Sequence, residues 1–468
     1  MKHFIALFIS CILMMSFTLT SCDDSKEGVN NSPVPSTKET IKPKPTDDPN
    51  VKVIKIAAFD DIEDGFLKRF KESHPDFPYE IEQVMSRDTE EYILVLHGRL
   101  QDNTENVPDI FMVDASYITK YSKGDMSSYV AAYKELGIDV DTLIKQAGLM
   151  QYTVDIGTRE DGSIVGLCTE ASPGAFIYRR SIARKVWGTD NPKVIKDKIG
   201  GAWDNFFQTA KELKTKGYGI VSGDGDIWNP VERSADQGWV VDGRLSIDPK
   251  REDFLDLAKK LKDSGYSNDT DQWTEAWFAD MAGTGSKEIF GFFGPSWFIT
   301  DTLASYCEGD ENGEGTYGDW AVCEPTTEFF WGGTWVFVNK NTKVPNAVAE
   351  LIKWMTLDTS ETGLQYYMAN GTLDETHMRK QTVASNIVMA KSNGKMDILS
   401  GQNMFEVFMD ASKNIKSRNM TWQDQRISSY WTGNVRDYTS GKVTRDQAIV
   451  NFKSEISDTN SNFDITVE

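Results

Sequence analysis

The chain has 468 residues, with 71 acidic against 50 basic side chains and a formal net charge of −21. A surface of that sign repels nucleic acid and anionic lipid, so neither is expected as a direct ligand. The length beyond the N-terminal segment exceeds what one hydrophobic core usually organises, and two lobes or domains are therefore expected.

The N-terminus carries the pattern of an export signal. Lys2 precedes an apolar run from Phe4 to Leu19 that is too short for a stable spanning helix. The sequence LTSC, which ends at Cys22, resembles the lipobox of bacterial lipoproteins. The resemblance implies removal of residues 1–21 and attachment of a lipid to Cys22. A plain secretory signal with a chance cysteine is the alternative.

Residues 22–50 have almost no apolar side chains and are rich in Pro, Ser, Thr, Lys and Asp. Such a segment buries too little apolar surface to offset the conformational entropy lost on ordering, which predicts a disordered tether behind the lipid. The folded body would then be extracytoplasmic, held to the outer face of the bacterial cell membrane by its lipid anchor alone.

Three cysteines remain for the folded part: Cys168, Cys307 and Cys323. In an oxidising compartment a disulfide between Cys307 and Cys323 is one interpretation, with Cys168 buried as a small apolar residue. The four histidines are scattered, and the acidic loop at 308–314 lacks the ligand spacing of a calcium loop. Neither a metal nor a cofactor is expected.

From Lys52 onward the predicted elements alternate between strands and helices. Buried strands read as continuous apolar runs, and helices carry apolar side chains three and four residues apart. The first elements are a strand from Lys52 to Phe59, a helix carrying Ile62, Phe66 and Phe70 that ends near Pro75, a strand from Tyr79 to Met85, a helix carrying Ile93, Leu96 and Leu100, and a strand from Ile110 to Val113. This order is typical of a parallel α/β sheet with right-handed crossovers.

Later segments continue the α/β pattern. The predictions are a strand at Phe176 to Tyr178, helices from Ala202 to Lys216 and from Asp253 to Gly265, strands at Glu288 to Phe293 and Trp335 to Val338, a crossing segment at Asp319 to Cys323, and helices from Ala347 to Met368 and from Thr444 to Ile456. Ligands usually bind in the loops after the carboxyl ends of parallel strands. Those loops hold Asp60 and Asp61 after the first strand and Asp114, Ser116 and Tyr117 after the third.

Four stretches resemble a known family. They are PDIFMVDASYITKYSKG at 108–124, IFGFFGPSW at 289–297, WGGTWVFVNKNTKVPNAVAELIKWM at 331–355, and SSYWTGNVRDYTSGKVTRDQAI at 428–449. In this order they resemble family 1 of the extracellular solute-binding proteins of ABC importers, in particular the sugar-binding group that includes the maltose-binding protein. The likeness covers nearly the whole mature chain.

The resemblance implies an α/β fold of two lobes, the type II periplasmic-binding-protein fold, with a ligand cleft between lobes that close about a hinge. The crossing segments would fall near Gly166 to Thr169 and near Val322 to Pro325. Residues 51–165 plus 326–356 would build the first lobe, and residues 166–325 plus 357–468 the second.

A sugar ring needs flat aromatic faces for its C–H groups and fixed carboxylates, amides or hydroxyls for its hydroxyl groups. The matching family motifs place stacking aromatics at Trp297 and Trp431, and a cleft-facing carboxylate at Glu170. Trp228 and Trp331 lie in or beside polar or glycine-rich segments, and Gly332 and Gly333 follow Trp331. The weaker acidic candidates are Asp60, Asp224, Asp226 and Glu328, whereas Trp187, Trp203 and Trp354 sit on helical patterns typical of a core.

Two departures from the family pattern argue against maltose itself. The maltose-binding protein has a stacking tryptophan where this chain has Val113, and Arg179-Arg180 stands where the family often has Asn-Lys. Both differences favour another carbohydrate.

The resemblance implies a monomeric, non-catalytic receptor that captures a mono- or oligosaccharide and delivers it to membrane permease subunits served by a separate ATPase. The chain has no Gly-x-x-x-x-Gly-Lys-Ser/Thr motif of its own. Two alternatives remain open at this point. The same fold could bind a polyamine or peptide, or two carboxylates such as Glu170 and Glu328 could cleave a glycan.

Overall fold

The computed structural model describes residues 45–59, 62–85, 89–103, 106–307, 315–374, 379–417, 420–459 and 465–467. The signal, Cys22, Asp60, Asp61 and the acidic loop at 308–314, on which predictions were made, lie outside these residues. Residues Lys44–Glu468 form one compact unit. None of the helices in the described ranges is both long and apolar enough to cross a bilayer.

The strands, in chain order, are β1 (Val53–Ala57), β2 (Glu80–Met85), β3 (Ile110–Asp114), β4 (Gly166–Glu170), β5 (Ala175–Arg179), β6 (Val240–Val241), β7 (Arg244–Leu245), β8 (Gly291–Gly294), β9 (Trp320–Cys323) and β10 (Thr334–Val338).

The α-helices are α1 (Lys68–Ser73), α2 (Thr89–Asp102), α3 (Ile118–Ser122), α4 (Val140–Ala147), α5 (Gln151–Ile156), α6 (Arg180–Trp187), α7 (Pro192–Ile199), α8 (Trp203–Lys214), α9 (Gly225–Ser234), α10 (Pro249–Asp263), α11 (Glu275–Ala282), α12 (Ala304–Tyr306), α13 (Pro345–Thr356), α14 (Leu364–Asn370), α15 (Asn386–Lys391), α16 (Phe405–Ala411), α17 (Asp424–Thr439) and α18 (Arg445–Asp458).

The first sheet has five strands in the order β2-β1-β3-β10-β4. Strand β1 pairs in parallel with β2 and β3, as the strand–helix alternation predicted. Strand β10 enters from far along the chain and pairs antiparallel with both β3 and β4. Because the central strands are covered on both faces, they read as nearly continuous apolar runs.

The second sheet has the order β8-β5-β9, with β5 antiparallel to both neighbours. The chain passes from β4 in the first sheet to β5 in the second through residues 171–174, and returns from β9 to β10 through residues 324–333. The first passage therefore lies just beyond the predicted crossing, because Gly166 to Glu170 pair as a strand of the first sheet.

The C-terminal third of the chain packs on both sheets. Leu364, Met368 and Val388 are buried in the first hydrophobic cluster, which includes the apolar residues of the first sheet and one side of the second. Trp431 and Phe452 are buried in the second cluster, together with strand residues such as Phe176. The expected lobe boundaries stay a prediction, since the segment 357–468 contributes to both clusters.

The single helix predicted from Ala347 to Met368 is wrong, because the structure has two helices, α13 and α14, in its place. Between them Asp358 accepts a 2.8 Å hydrogen bond from the Ser360 backbone N–H, which closes a turn. A β-carbon on Gly363 would lie 2.4 Å from the Asp358 carbonyl oxygen, so the chain can reverse there only with glycine.

The cysteines give a second correction. Cys168, Cys307 and Cys323 are all buried, and the suggested Cys307–Cys323 disulfide is not formed. Cys307 packs in the first hydrophobic cluster and Cys323 in the second, so their side chains serve different cores.

Candidate ligand-binding site

Both passages between the two sheets lie at the same end of the first sheet, where β3 and β4 end and β10 begins with polar residues. Thr334, at the start of β10, is in register with Asp114 at the end of β3 and with Glu170 at the end of β4. The structure therefore brings together two predicted carboxylates from strands that are far apart in sequence. Ser116 and Tyr117 follow directly and are half-buried.

Asp114 is held in a tight turn. One of its oxygens, Oδ1, accepts a 2.9 Å hydrogen bond from the Ser116 backbone N–H. Burial raises the pKa of Asp114, while hydrogen bonds from Ser116 and Ala115 and the positive charge of Arg233 oppose that rise. Arg233 comes from α9, so charge from a helix that follows the passage to the second sheet acts on a carboxylate of the first sheet.

Trp297 and Trp331 form an aromatic corner beside these carboxylates. The Trp297 indole N–H donates a 2.9 Å hydrogen bond to the Trp331 carbonyl oxygen. Their ring centroids lie 4.9 Å apart, and their planes meet at 70°. Both side chains are partly exposed, as a ligand-stacking role requires.

Gly332 and Gly333 have φ angles of 79° and 109°, a region that side chains disfavour. A β-carbon on Gly332 would lie 3.0 Å from Trp297 Nε1, and one on Gly333 would lie 2.8 Å from the Glu170 carbonyl oxygen. The two glycines therefore let the returning chain pass closely between the aromatic corner and β4.

Sequence reasoning missed a third indole, Trp273. Its side chain is 54% exposed. Its ring lies nearly parallel to that of Trp297, at 11° and 6.4 Å between centroids, and at 70° to that of Trp331 at 6.0 Å. Trp273 ends the polar loop SNDTDQW, which has no apolar periodicity, so an isolated tryptophan in a polar loop was the one signal available.

Trp431 and Trp228 do not join this cluster. Trp431 is fully buried, with its ring centroid 5.0 Å from Phe452 and 5.9 Å from Trp239. Trp228 is 8% exposed, packs 4.6 Å from Phe254, and donates its indole N–H to Ser428 Oγ at 3.1 Å. Both predicted stacking roles are corrected, because neither ring exposes a face on which a ligand could stack. Trp228 and Trp431 are core residues of the helices α9 and α17.

The remaining acidic candidates separate by their surroundings. Asp226 is buried and accepts hydrogen bonds from neighbouring loops rather than facing a cleft. Asp224 is half-buried, and burial together with nearby Asp269 raises its pKa. Glu328 accepts a long 3.5 Å bond from the Asn414 side chain.

A separate cavity of about 930 Å³ lies along the return passage. It is lined by Glu324 to Glu328, the start of α8 and one side of α10, and Glu328 belongs to it rather than to the tryptophan cluster. Trp203, predicted to be a core residue, is half-buried and lines this cavity.

The arrangement at the strand ends can hold a neutral polar ring, because it offers indole faces and half-buried carboxylates within one corner. Within the described ranges, no group of three or more His, Cys, Asp or Glu side chains is placed to hold a metal ion.

Comparison with known proteins defines the class. The family model of the bacterial extracellular solute-binding proteins matches residues 66–372, and the chain belongs to this family. A search of curated proteins gave no match.

Solved structures of similar fold span almost the whole chain. A structure described as an extracellular solute-binding protein of family 1 is 18% identical, with a TM-score of 0.70 over 87% of this chain and 99% of its own. The galacto-N-biose/lacto-N-biose I-binding protein of Bifidobacterium longum, solved with lacto-N-biose, is 16% identical, with a TM-score of 0.64 over 90% and 100%. The substrate-binding protein Lmo0181 of Listeria monocytogenes, solved with cycloalternan, is 14% identical, with a TM-score of 0.59 over 88% and 100%. These similarities confirm the predicted two-lobed α/β fold.

Proposed function

We propose that this protein captures a mono- or oligosaccharide outside the cell and releases it chemically unchanged. The observation that carries the proposal is the corner of Trp297 and Trp331 at the strand ends that hold Asp114 and Glu170. A pyranose presents C–H faces to indoles and hydroxyl groups to carboxylates, so this pairing matches its chemistry. The sugars held by similar solved structures support the same ligand class.

The ligand would act by bridging the two lobes. Such a sugar would contact Asp114 on the first sheet and Trp297, which follows a strand of the second sheet. Because it would bind the closed state more tightly than the open state, it would lower the free energy of the closed state. The closed protein would then deliver the sugar to permease subunits of an ABC importer, whose ATPase is a separate chain. The lobe boundaries given above and the passages at 171–174 and 324–333 are part of this proposal.

The anchor belongs to the same proposal. A lipid on Cys22 followed by a polar tether would keep the folded body near its permease while leaving it free to turn. Cys22→Ser should move the protein from the membrane fraction to the soluble fraction and abolish incorporation of labelled palmitate. Unchanged membrane association without label would contradict the anchor but leave the binding function intact.

Thermal unfolding of the purified protein tests the ligand class. The panel contains lacto-N-biose, cycloalternan, maltose, monosaccharides, polyamines, amino acids and peptides. A ligand at 100 times its dissociation constant stabilises by about 2.7 kcal/mol, a readable shift in melting temperature. A shift with carbohydrates alone supports the proposal. A shift with polyamines or peptides alone contradicts it, and so does chromatographic detection of cleaved glycosidic bonds.

A further inference from the structure

Trp273 sits in a backbone conformation that a bulky side chain avoids. Its φ angle is 65°, and Asp269 in the same loop has a φ angle of 59°. For L-residues other than glycine this left-handed region is disfavoured because the β-carbon crowds the following carbonyl oxygen. Such conformations persist only where surrounding contacts enforce them, and they cluster at ligand clamps.

The buried carboxylate of Asp226 supplies the enforcing contacts. Its Oδ1 accepts hydrogen bonds from the Gln272 side chain at 3.1 Å and from the Trp277 indole N–H at 3.0 Å. Its Oδ2 accepts from the backbone N–H groups of Ser222 and Gly223, at 2.9 and 3.2 Å. All four acceptor contacts are thus used inside the protein, and none is left for a ligand.

Two of the residues that donate to Asp226 lie next to Trp273. Gln272 precedes it directly in the chain. The ring of Trp277 lies 5.2 Å from the ring of Trp273. Asp226 therefore fixes both the backbone that leads into Trp273 and the aromatic surface against which its indole rests.

The base of the loop is equally fixed. The backbone N–H groups of Asn268 and Thr270 both donate to the Ser222 carbonyl oxygen, at 3.0 and 3.1 Å. A β-carbon on Gly223 would lie 2.0 Å from the Thr270 carbonyl oxygen, so the two loops are in direct contact. The Thr270 hydroxyl donates to Asp280 Oδ2 at 3.1 Å.

A rigid, strained loop thus ends in an indole that is more than half exposed, which is the reverse of what core packing requires. That indole lies parallel to Trp297 and across from Trp331. We propose that Trp273 is a ligand-stacking residue of the cleft and that Asp226, acting through Gln272 and Trp277, is the positioning residue that presets it. This inference rests on the proposed sugar-binding function and deepens it, because it adds Trp273 to the ligand-stacking surface formed by Trp297 and Trp331. A preset indole loses little conformational entropy when a sugar ring stacks on it.

Binding measurements on matched variants test the stacking role. Isothermal titration with the panel sugar that most stabilises the wild-type protein is made on Trp273→Ala and on Trp203→Ala, a half-buried indole that lines the other cavity. Trp273→Ala should weaken binding about tenfold or more, and Trp203→Ala should leave it unchanged. Equal affinity in the folded Trp273→Ala variant overturns the stacking role while the sugar-binding function stands. No binding of any sugar to the wild type overturns the function and the stacking role together.

A double-mutant cycle tests the positioning role. Asp226→Asn should weaken sugar binding in the wild-type background but add nothing in the Trp273→Ala background. Gln272→Ala, which leaves the buried carboxylate intact, should give a smaller loss of the same kind and serves if Asp226→Asn does not fold. Additive losses in the cycle overturn the positioning role.

A readout without sugar completes the test. In protein labelled with 5-fluorotryptophan, the Trp273 resonance is identified by its absence in Trp273→Phe. Asp226→Asn and Gln272→Ala should shift this resonance towards the value of a fully solvated indole, while the resonance of buried Trp431 stays in place. A Trp273 resonance unchanged in both variants overturns the positioning role of Asp226.

Discussion

The indole N–H of Trp297 and the carbonyl oxygen of Trp331 lie 2.9 Å apart in a hydrogen bond. Trp297 follows the end of β8 in the second sheet, and Trp331 leads into β10 in the first. This bond therefore fixes an aromatic ring from one sheet onto the chain that returns to the other. The predicted binding surface depends on that junction, because it sets the 70° angle between the two rings.

Trp297→Ala is expected to cost about 1–3 kcal/mol of sugar-binding free energy while the protein stays folded, because a half-buried stacking face is removed. Trp297→Phe is the matched control, since it keeps a ring and loses only the bond to Trp331. Its loss should be smaller. Calorimetric titration measures both, and equal affinity in the alanine variant would return Trp297 to a packing role.

Asp114→Ala should weaken sugar binding by about 1.5–3 kcal/mol, because a charge-assisted hydrogen bond to a hydroxyl group is lost. Asp109 provides the control at the opposite end of the same strand. Its carboxylate accepts from the Lys55 backbone N–H at 3.0 Å and from the Thr342 hydroxyl at 2.7 Å. Asp109→Asn should therefore lower stability and leave affinity unchanged. The reverse pattern would place the site at the wrong strand end.

Trp431→Ala should reduce the free energy of unfolding by about 3–5 kcal/mol, as for other large buried aromatic residues. Trp431→Phe should cost less, because the Trp431 indole N–H has no hydrogen-bond partner among the described residues. Urea unfolding measures stability, and titration of the folded fraction should give wild-type affinity for both variants. A loss of affinity without loss of stability would restore the stacking role predicted from sequence.

The pH dependence of stability should carry the signature of Asp226. Burial raises its pKa from 3.8 to about 6 in the folded protein. Because the folded state holds this proton more tightly, the associated stabilisation is fully present below about pH 4 and is lost as the pH rises through about 6. The loss is on the order of 3 kcal/mol. Urea unfolding from pH 4 to 7 should show wild type losing stability relative to Asp226→Asn. Parallel profiles would show that Asp226 ionises normally.

The parallel part of the first sheet was predictable because its signals are local. The runs at β1, β2 and β3 are apolar, and helical periodicity separates them, so parallel pairing follows from the alternation alone. Asp114 could be proposed for the same reason, as the residue at a strand end. Its partner Glu170 was reached only through the family resemblance, because two strands paired through β10 are adjacent in space and distant in sequence.

The errors share a physical cause. The sequence does not reveal whether a tryptophan ring is buried or exposed. Trp431 was assigned to the cleft, although its ring is enclosed by Trp239 and Phe452. Trp273 was passed over because nothing in a polar loop reveals that a buried carboxylate holds it in place. Side-chain environments set by contacts between distant loops are not encoded in local patterns.

The central position of β10 has a consequence for how the chain reaches its folded state. Val338 pairs with Ile110, and Phe337 with Gly166, so the first sheet closes only when a late segment inserts between two early strands. Loop-closure entropy must be lost before such long-range contacts stabilise the chain, which makes this step slow. In an exported polypeptide built this way, the first sheet is completed only after the segment up to Val338 has crossed the membrane, so this sheet forms in the compartment in which the protein works.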